Sequence, residues 1–212
     1  ESEFHSLCTC RDPLLFHAAG NWRSLSKDDA WATFGHRIPQ SVLNTYSELG
    51  AAILTDDDPR YELPDDERWL ARIKGHSPQY SGVKAHLSET LAFLGAFSDK
   101  VEAISSLNIA AVVDHIVSQV LGPTASWQRW ATLGPTLSRL AEAAPRVFLR
   151  AVREELDRPD SRLCSLFRED EQPLFGSCNH AGLLWALETL AWSPELFHTV
   201  CRFLIRLAAS DP

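Results

Sequence analysis

Zinc takes its ligands from Cys and His, usually in fours, and this chain offers Cys8, Cys10, Cys178 and His180. The spacing argues against a site. Cys8-Thr9-Cys10 is a C-x-C pair and not the C-x2-C knuckle of structural zinc, and no second pair matches it. A tail and a helix start account for these residues, so no metal is expected on them. Cys178 and His180 also read as a nucleophile and its base. Residues two apart at a helix start seldom face each other, and no third residue stands ready to orient the imidazole. His180 is expected in a first helical turn capped by Asn179 or Ser177.

Three acidic runs, Asp56-Asp57-Asp58, Asp65-Asp66-Glu67 and Glu169-Asp170-Glu171, invite a Ca2+ or Mg2+ reading. A calcium loop needs a glycine at its sharp turn and a spaced bidentate acid, and these runs have neither. They read as solvated loops and, at 65–67, as the acidic first turn of a helix. The phosphate-binding patterns G-x-x-x-x-G-K-[ST] and G-x-G-x-x-G are missing, as is G-x-S-x-G. No catalytic residue and no cofactor is therefore expected.

Seven tryptophans are the most unusual feature. Trp185 and Trp192 share one helix face, and so do Trp127 and Trp130. They fill gaps between helices or form an aromatic docking surface, and Trp127 and Trp130 are the candidates for docking a partner. Glu188 sits in a strongly apolar helix, where a buried carboxylate needs a partner; Arg202 and Arg206 on the returning helix are the candidates for a buried ion pair. A thin solvent-facing edge for Glu188 is the alternative.

The bulk composition narrows the field. The 212 residues carry 20 Lys and Arg against 28 Asp and Glu, a formal net charge of −8. That balance argues against a dedicated nucleic-acid binder, though a local basic patch is compatible with it. No apolar run approaches the roughly 20 residues of a membrane helix, and Glu1-Ser2-Glu3-Phe4 lacks the marks of a signal peptide. Five cysteines, an odd number in largely apolar settings, fit a reducing, cytoplasmic setting. The sequence contains no methionine, which predicts a segment of a longer chain.

The punctuation predicts the elements. Residues 1–12 read as a tail, and the runs around Ala19-Gly20 as one β-hairpin, so that 1–25 form a tail and hairpin. From residue 26 helices dominate: Ser26 and Asp29 suggest a capping box, and Pro39 opens a helix with the stripe Val42, Tyr46, Leu49, Ile53. A helix over 64–75 carries Trp69, Leu70 and Ile73. The next, over 81–97, carries Val83, Leu87, Leu91 and Leu94. Further helices follow at 108–121, 126–130, 135–144, 145–156, 161–168, 179–192 and 194–209. About ten short antiparallel helices result, an all-α array of solenoid or irregular-bundle type over 26–212. A polar stretch near 98–107 is a candidate sub-boundary. The 179–209 pair is expected to be the most buried part of the chain, with the first helix surrounded by protein.

Gly176-Ser-Cys-Asn-His-Ala-Gly-Leu-Leu-Trp-Ala-Leu-Glu-Thr-Leu-Ala-Trp-Ser-Pro-Glu resembles the helical region downstream of the ATPase in large bacterial STAND-type NTPases. Gly20-Asn-Trp-Arg-Ser-Leu-Ser-Lys-Asp-Asp-Ala-Trp, Leu63-Pro-Asp-Asp-Glu-Arg-Trp-Leu-Ala and Tyr80-Ser-Gly-Val-Lys-Ala-His-Leu-Ser-Glu-Thr-Leu-Ala resemble the same region, in the same order. The resemblance implies a cytoplasmic module of a signalling or antiviral-defence protein whose nucleotide site lies upstream; no site residue carries over. The expected role is a non-catalytic scaffold or sensor that contacts neighbouring modules or a protein partner, without nucleic acid or membrane. The alternative is a helical metal-dependent hydrolase domain, which would need at least three titratable side chains converging in one pocket.

Overall fold

Several helices begin where a side chain accepts from a first-turn N–H or where a proline, which has none, occupies the first turn. Ser26, Asn108 and Ser126 accept from the backbone N–H of Asp29, Ala111 and Arg129, while Pro145 and Pro194 occupy first-turn positions. The computed structural model describes residues 2–13, 15–18, 21–105, 107–168 and 178–209. A helix α1 (Ser2–Thr9) precedes strands β1 (Leu15–Ala18) and β2 (Asn21–Ser24). Then come α2 (Lys27–Phe34), α3 (Gln40–Leu54), α4 (Ser81–Ala96), α5 (Ser98–Ser105), α6 (Ile109–Val120), α7 (Trp127–Leu133), α8 (Leu137–Ala143), α9 (Pro145–Leu156), α10 (Ala181–Ala191) and α11 (Pro194–Ala208). Short 3-10 helices at Pro59–Glu62, Asp65–Leu70 and Arg162–Phe167 fill the longer connections. The fold is all-α with one N-terminal hairpin, in which Leu15 pairs with Ser24 and Ala18 with Asn21. The Ala19-Gly20 turn lies outside the described residues, as does the acidic run 169–171.

The helices form two facing rows. One runs α3–α6–α9, the other α4–α8–α10, and α11 closes the end by touching both α9 and α10. Between the rows lies one continuous apolar cluster reaching from Leu43 to Leu207. It crosses the 98–107 stretch, where Val101 of α5 is itself buried. Glycine sets the spacing within the second row. A Cβ at Gly95 would overlap the Ala143 backbone, and one at Gly182 the Gly134 backbone, so α4 meets α8, and α10 meets the short 3-10 turn Gly134–Thr136 between α7 and α8, at backbone distance.

Several expectations change. Residues 2–9 are helical and not a tail. The stripe of α3 faces inward through Leu43, Ala51 and Leu54, while Val42 and Leu49 are exposed. The helix is apolar on two sides, and the side with Leu43 and Leu54 is the one that meets α6 and α4. In α4, Leu91 and Leu94 are buried as expected, but Val83 is exposed and Lys84 buried in its place. The expected helix over 64–75 is a 3-10 turn that ends in a loop, with Gly75 at φ 82°. Trp69 and Ile73 are exposed, so no buried stripe repays nucleation there. Residues 162–167 are likewise 3-10.

The 179–209 pair is not the most buried part. Leu183, Leu187 and Leu190 are buried as expected, but Trp185 and Trp192 point outward. Among the described residues the first helix meets α7, α8 and α11 and leaves its Trp185 side exposed.

Candidate functional site

The Asp56-Asp57-Asp58 run is not a solvated loop. Each carboxylate meets a cation: Lys84 of α4 lies 3.9 Å from Asp56 and donates to its backbone carbonyl, and Arg129 of α7 grips Asp57 at 2.5 Å. Arg60 lies 3.2 Å from the buried Asp58, whose backbone N–H donates to the Thr132 hydroxyl. Burial pushes the Lys84 amine below the usual lysine range, with Asp56 opposing that shift. Beside this strap, Tyr61 packs edge-on against Trp127 at 5.3 Å, and Arg68 stacks over the Trp127 ring at 5.0 Å. The Tyr61 hydroxyl donates to Asn179 at the start of α10. The cluster ties the 55–70 connection to α4, α7 and α10.

The candidate docking tryptophans belong to this interior. Trp130 is 0% exposed and meets Phe148 at 6.1 Å, and Trp127 is half-buried under Arg68 and Tyr61. Their three-residue spacing does put them on one side of α7, but that side faces the core, so neither presents a docking surface.

Cys178 and His180 do come together, contrary to expectation: the thiol sulfur lies 3.3 Å from Nε2. The imidazole stacks on Phe167 at 4.8 Å, which turns it toward the exposed thiol. A nucleophile–base pair usually has a third group that orients the base, and among the described residues Phe167 offers the imidazole only a ring face. Cys8 and Cys10 lie at the other end of the chain, and no group of three or more Cys, His, Asp and Glu among the described residues is close enough to hold a metal.

Glu188 is exposed, so the expected buried ion pair with Arg202 and Arg206 is not made. Arg206 turns the other way. It donates to Asp157 at 2.7 Å and to the Leu156 carbonyl, closing the C-terminal end of α9. Arg202 and Arg206 instead line a cleft of about 330 Å3 between α9 and α11, together with Arg153, Asp157, Thr199 and Phe203. Arg153 is not marked by any motif. Its signal was present: Arg146, Arg150 and Arg153 follow helical spacing on α9 and are all exposed.

The other outward feature is apolar. Trp185 (65% exposed) and Trp192 (84%) project from α10 and its C-terminal cap, and Phe197 and Ile205 (70%) from α11. Of the two tryptophan pairs picked out by spacing, this is the one that reaches solvent. No protein-family model matches the chain, and neither curated proteins nor solved structures yield a match.

Proposed function

We propose that this chain is a non-catalytic helical scaffold or sensor segment that contacts a neighbouring module or a protein partner through the outer face of α10 and α11. One observation carries the reading: Trp185, Trp192, Phe197 and Ile205 are all exposed on the last helix pair. Large exposed apolar side chains are what interfaces bury, and tryptophan is the residue most often found at their energetic centre. The fold supports the role, because rigid helical rows present extended faces. The resemblance to the helical region of STAND-type NTPases suggests a cytoplasmic parent protein that acts in bacterial antiviral defence.

Hydrogen–deuterium exchange tests the interface. Amides of α10 and α11 should exchange more slowly in the longer gene product than in the 212-residue chain, and Trp185→Ser with Trp192→Ser should abolish the difference. Equal exchange in both settings would sink the reading. The family assignment has its own check, a G-x-x-x-x-G-K-[ST] motif encoded upstream.

A further inference from the structure

The cleft between α9 and α11 concentrates positive charge in a chain of net charge −8. Three guanidinium groups line it, those of Arg153, Arg202 and Arg206, against one carboxylate, that of Asp157. Arg206 already serves Asp157 and the Leu156 carbonyl. Arg153 and Arg202 have no ion-pair partner among the described residues, whereas Arg60, Arg68, Arg129 and Arg162 are each paired with an Asp or Glu. Arg146 and Arg150 continue the exposed face of α9 and bring the positive charge to one side of the molecule. Like charges at this spacing repel, so the arrangement costs stability unless an anion joins it.

A solvated arginine face is the plain alternative, with Arg206 acting only as a helix cap. It explains Arg206 and leaves Arg153 and Arg202 converging without a counter-charge. The C-terminal dipole of α9 would oppose an anion, but the Leu156 carbonyl is occupied by Arg206 and that of Arg153 by the Asp157 N–H. Guanidinium forks match phosphate oxygens in pairs, and three arginines less one carboxylate leave two positive charges, the charge a phosphate monoester balances. The Thr199 hydroxyl adds a neutral donor. About 330 Å3 exceeds the needs of a bare phosphate, and Phe203 offers an apolar wall for the group that carries it.

We infer that this cleft binds a phosphorylated small molecule, its phosphate held by Arg153 and Arg202 with Arg206 and Thr199 completing the donor set. The site is separate from the aromatic face of α10 and stands or falls independently of it. Calorimetric titration of the purified chain with inorganic pyrophosphate, at constant ionic strength, tests it. Saturable one-site binding is expected, weakened at least about tenfold by Arg153→Gln and by Arg202→Gln. Arg72→Gln, in the exposed turn before Gly75, should leave it unchanged. Both arginines under test are exposed, so loss of fold is not expected, and a circular-dichroism melt of each variant confirms that. Absence of saturable binding, or equal weakening by Arg72→Gln, overturns the inference. A phosphoserine peptide that binds where pyrophosphate does not would assign the cleft to a protein partner and overturn it as well.

Discussion

Glu155 is 3% exposed, and its ion pair with Arg162 is the most enclosed in the described molecule. Arg162 reaches both carboxylate oxygens, at 3.0 Å and 2.5 Å, and donates as well to the carbonyls of Ala125 and Pro123. One guanidinium thus ties α9, the 162–167 segment and the loop before α7 together. Removing one partner of a buried pair leaves the other charge uncompensated. Glu155→Ala should therefore lower the unfolding free energy by about 3–5 kcal/mol in urea titrations, while Arg158→Ala, at a solvent-exposed pair, should cost under about 1 kcal/mol. Little of this was legible: Arg153-Glu154-Glu155 reads as a solvated helix face, and only the fold turns Glu155 inward. Asp57 misleads in the same way. It looks like an exposed position where alanine would be harmless, yet Arg129 clasps it with both Nε and Nη2. Tyr46 supplies the opposite case, since its buried hydroxyl has no hydrogen-bond partner among the described residues. Tyr46→Phe should be neutral or stabilising by melting temperature, because it removes an unsatisfied polar group. Burial also raises the Tyr46 phenol far above the ordinary tyrosine value, so the folded chain holds this proton more tightly than the unfolded one. Stability should fall as pH rises above about 10, where the unfolded chain loses the proton first, and Tyr46→Phe should flatten that fall.

Helices were legible wherever a cap or proline coincided with a face that meets a neighbour. Ser26, Asn108 and Ser126 mark true starts. Periodicity failed where a helix has more than one apolar side, as in α3, or where the apolar residues have no surface to cover, as at Trp69 and Ile73. It also gave no sign of which glycines hold helices together. Gly95 and Gly182 sit inside α4 and α10, where propensity alone favours alanine by about 1 kcal/mol. The structure reverses that sign, because the added methyl would strike a neighbouring backbone that cannot swing aside as a side chain would. Gly182→Ala should lower stability by about 1–3 kcal/mol through overpacking between α10 and the 134–136 turn, and Gly95→Ala should do the same between α4 and α8. Gly50→Ala, in α3 with open space around it, is the control and should be neutral or stabilising. Melting temperatures of the three variants decide the matter, and a stabilised Gly182→Ala would show that the rows are looser than their backbones suggest.

At the scale of the whole molecule, the two rows and α11 enclose a single core, and α10 divides it from the outer face. The same helix carries both roles on opposite sides. Leu183, Ala186, Leu187 and Leu190 face α8 and α11, while Trp185 and the flanking Trp192 face solvent. From its residues alone α10 is apolar nearly all round, the pattern of a helix surrounded by protein. Such a helix seeks cover on every side, but the described residues leave the Trp185 side open. The difference can be measured. Leu187 is 0% exposed, and burying a leucine contributes about 1.5–3 kcal/mol; truncation also leaves a cavity and costs about 2–5 kcal/mol. Against the ~5–15 kcal/mol of a whole domain, Leu187→Ala should lower the melting temperature by several degrees or leave the protein insoluble. Trp185, at 65% exposure, has little buried area to lose, so Trp185→Ala should melt close to the parent chain despite deleting the larger side chain. Equal losses at the two positions would mean that the tryptophan face is covered within the folded chain. In that event the core would extend through α10, and the outer face could not be the surface that a neighbouring module meets.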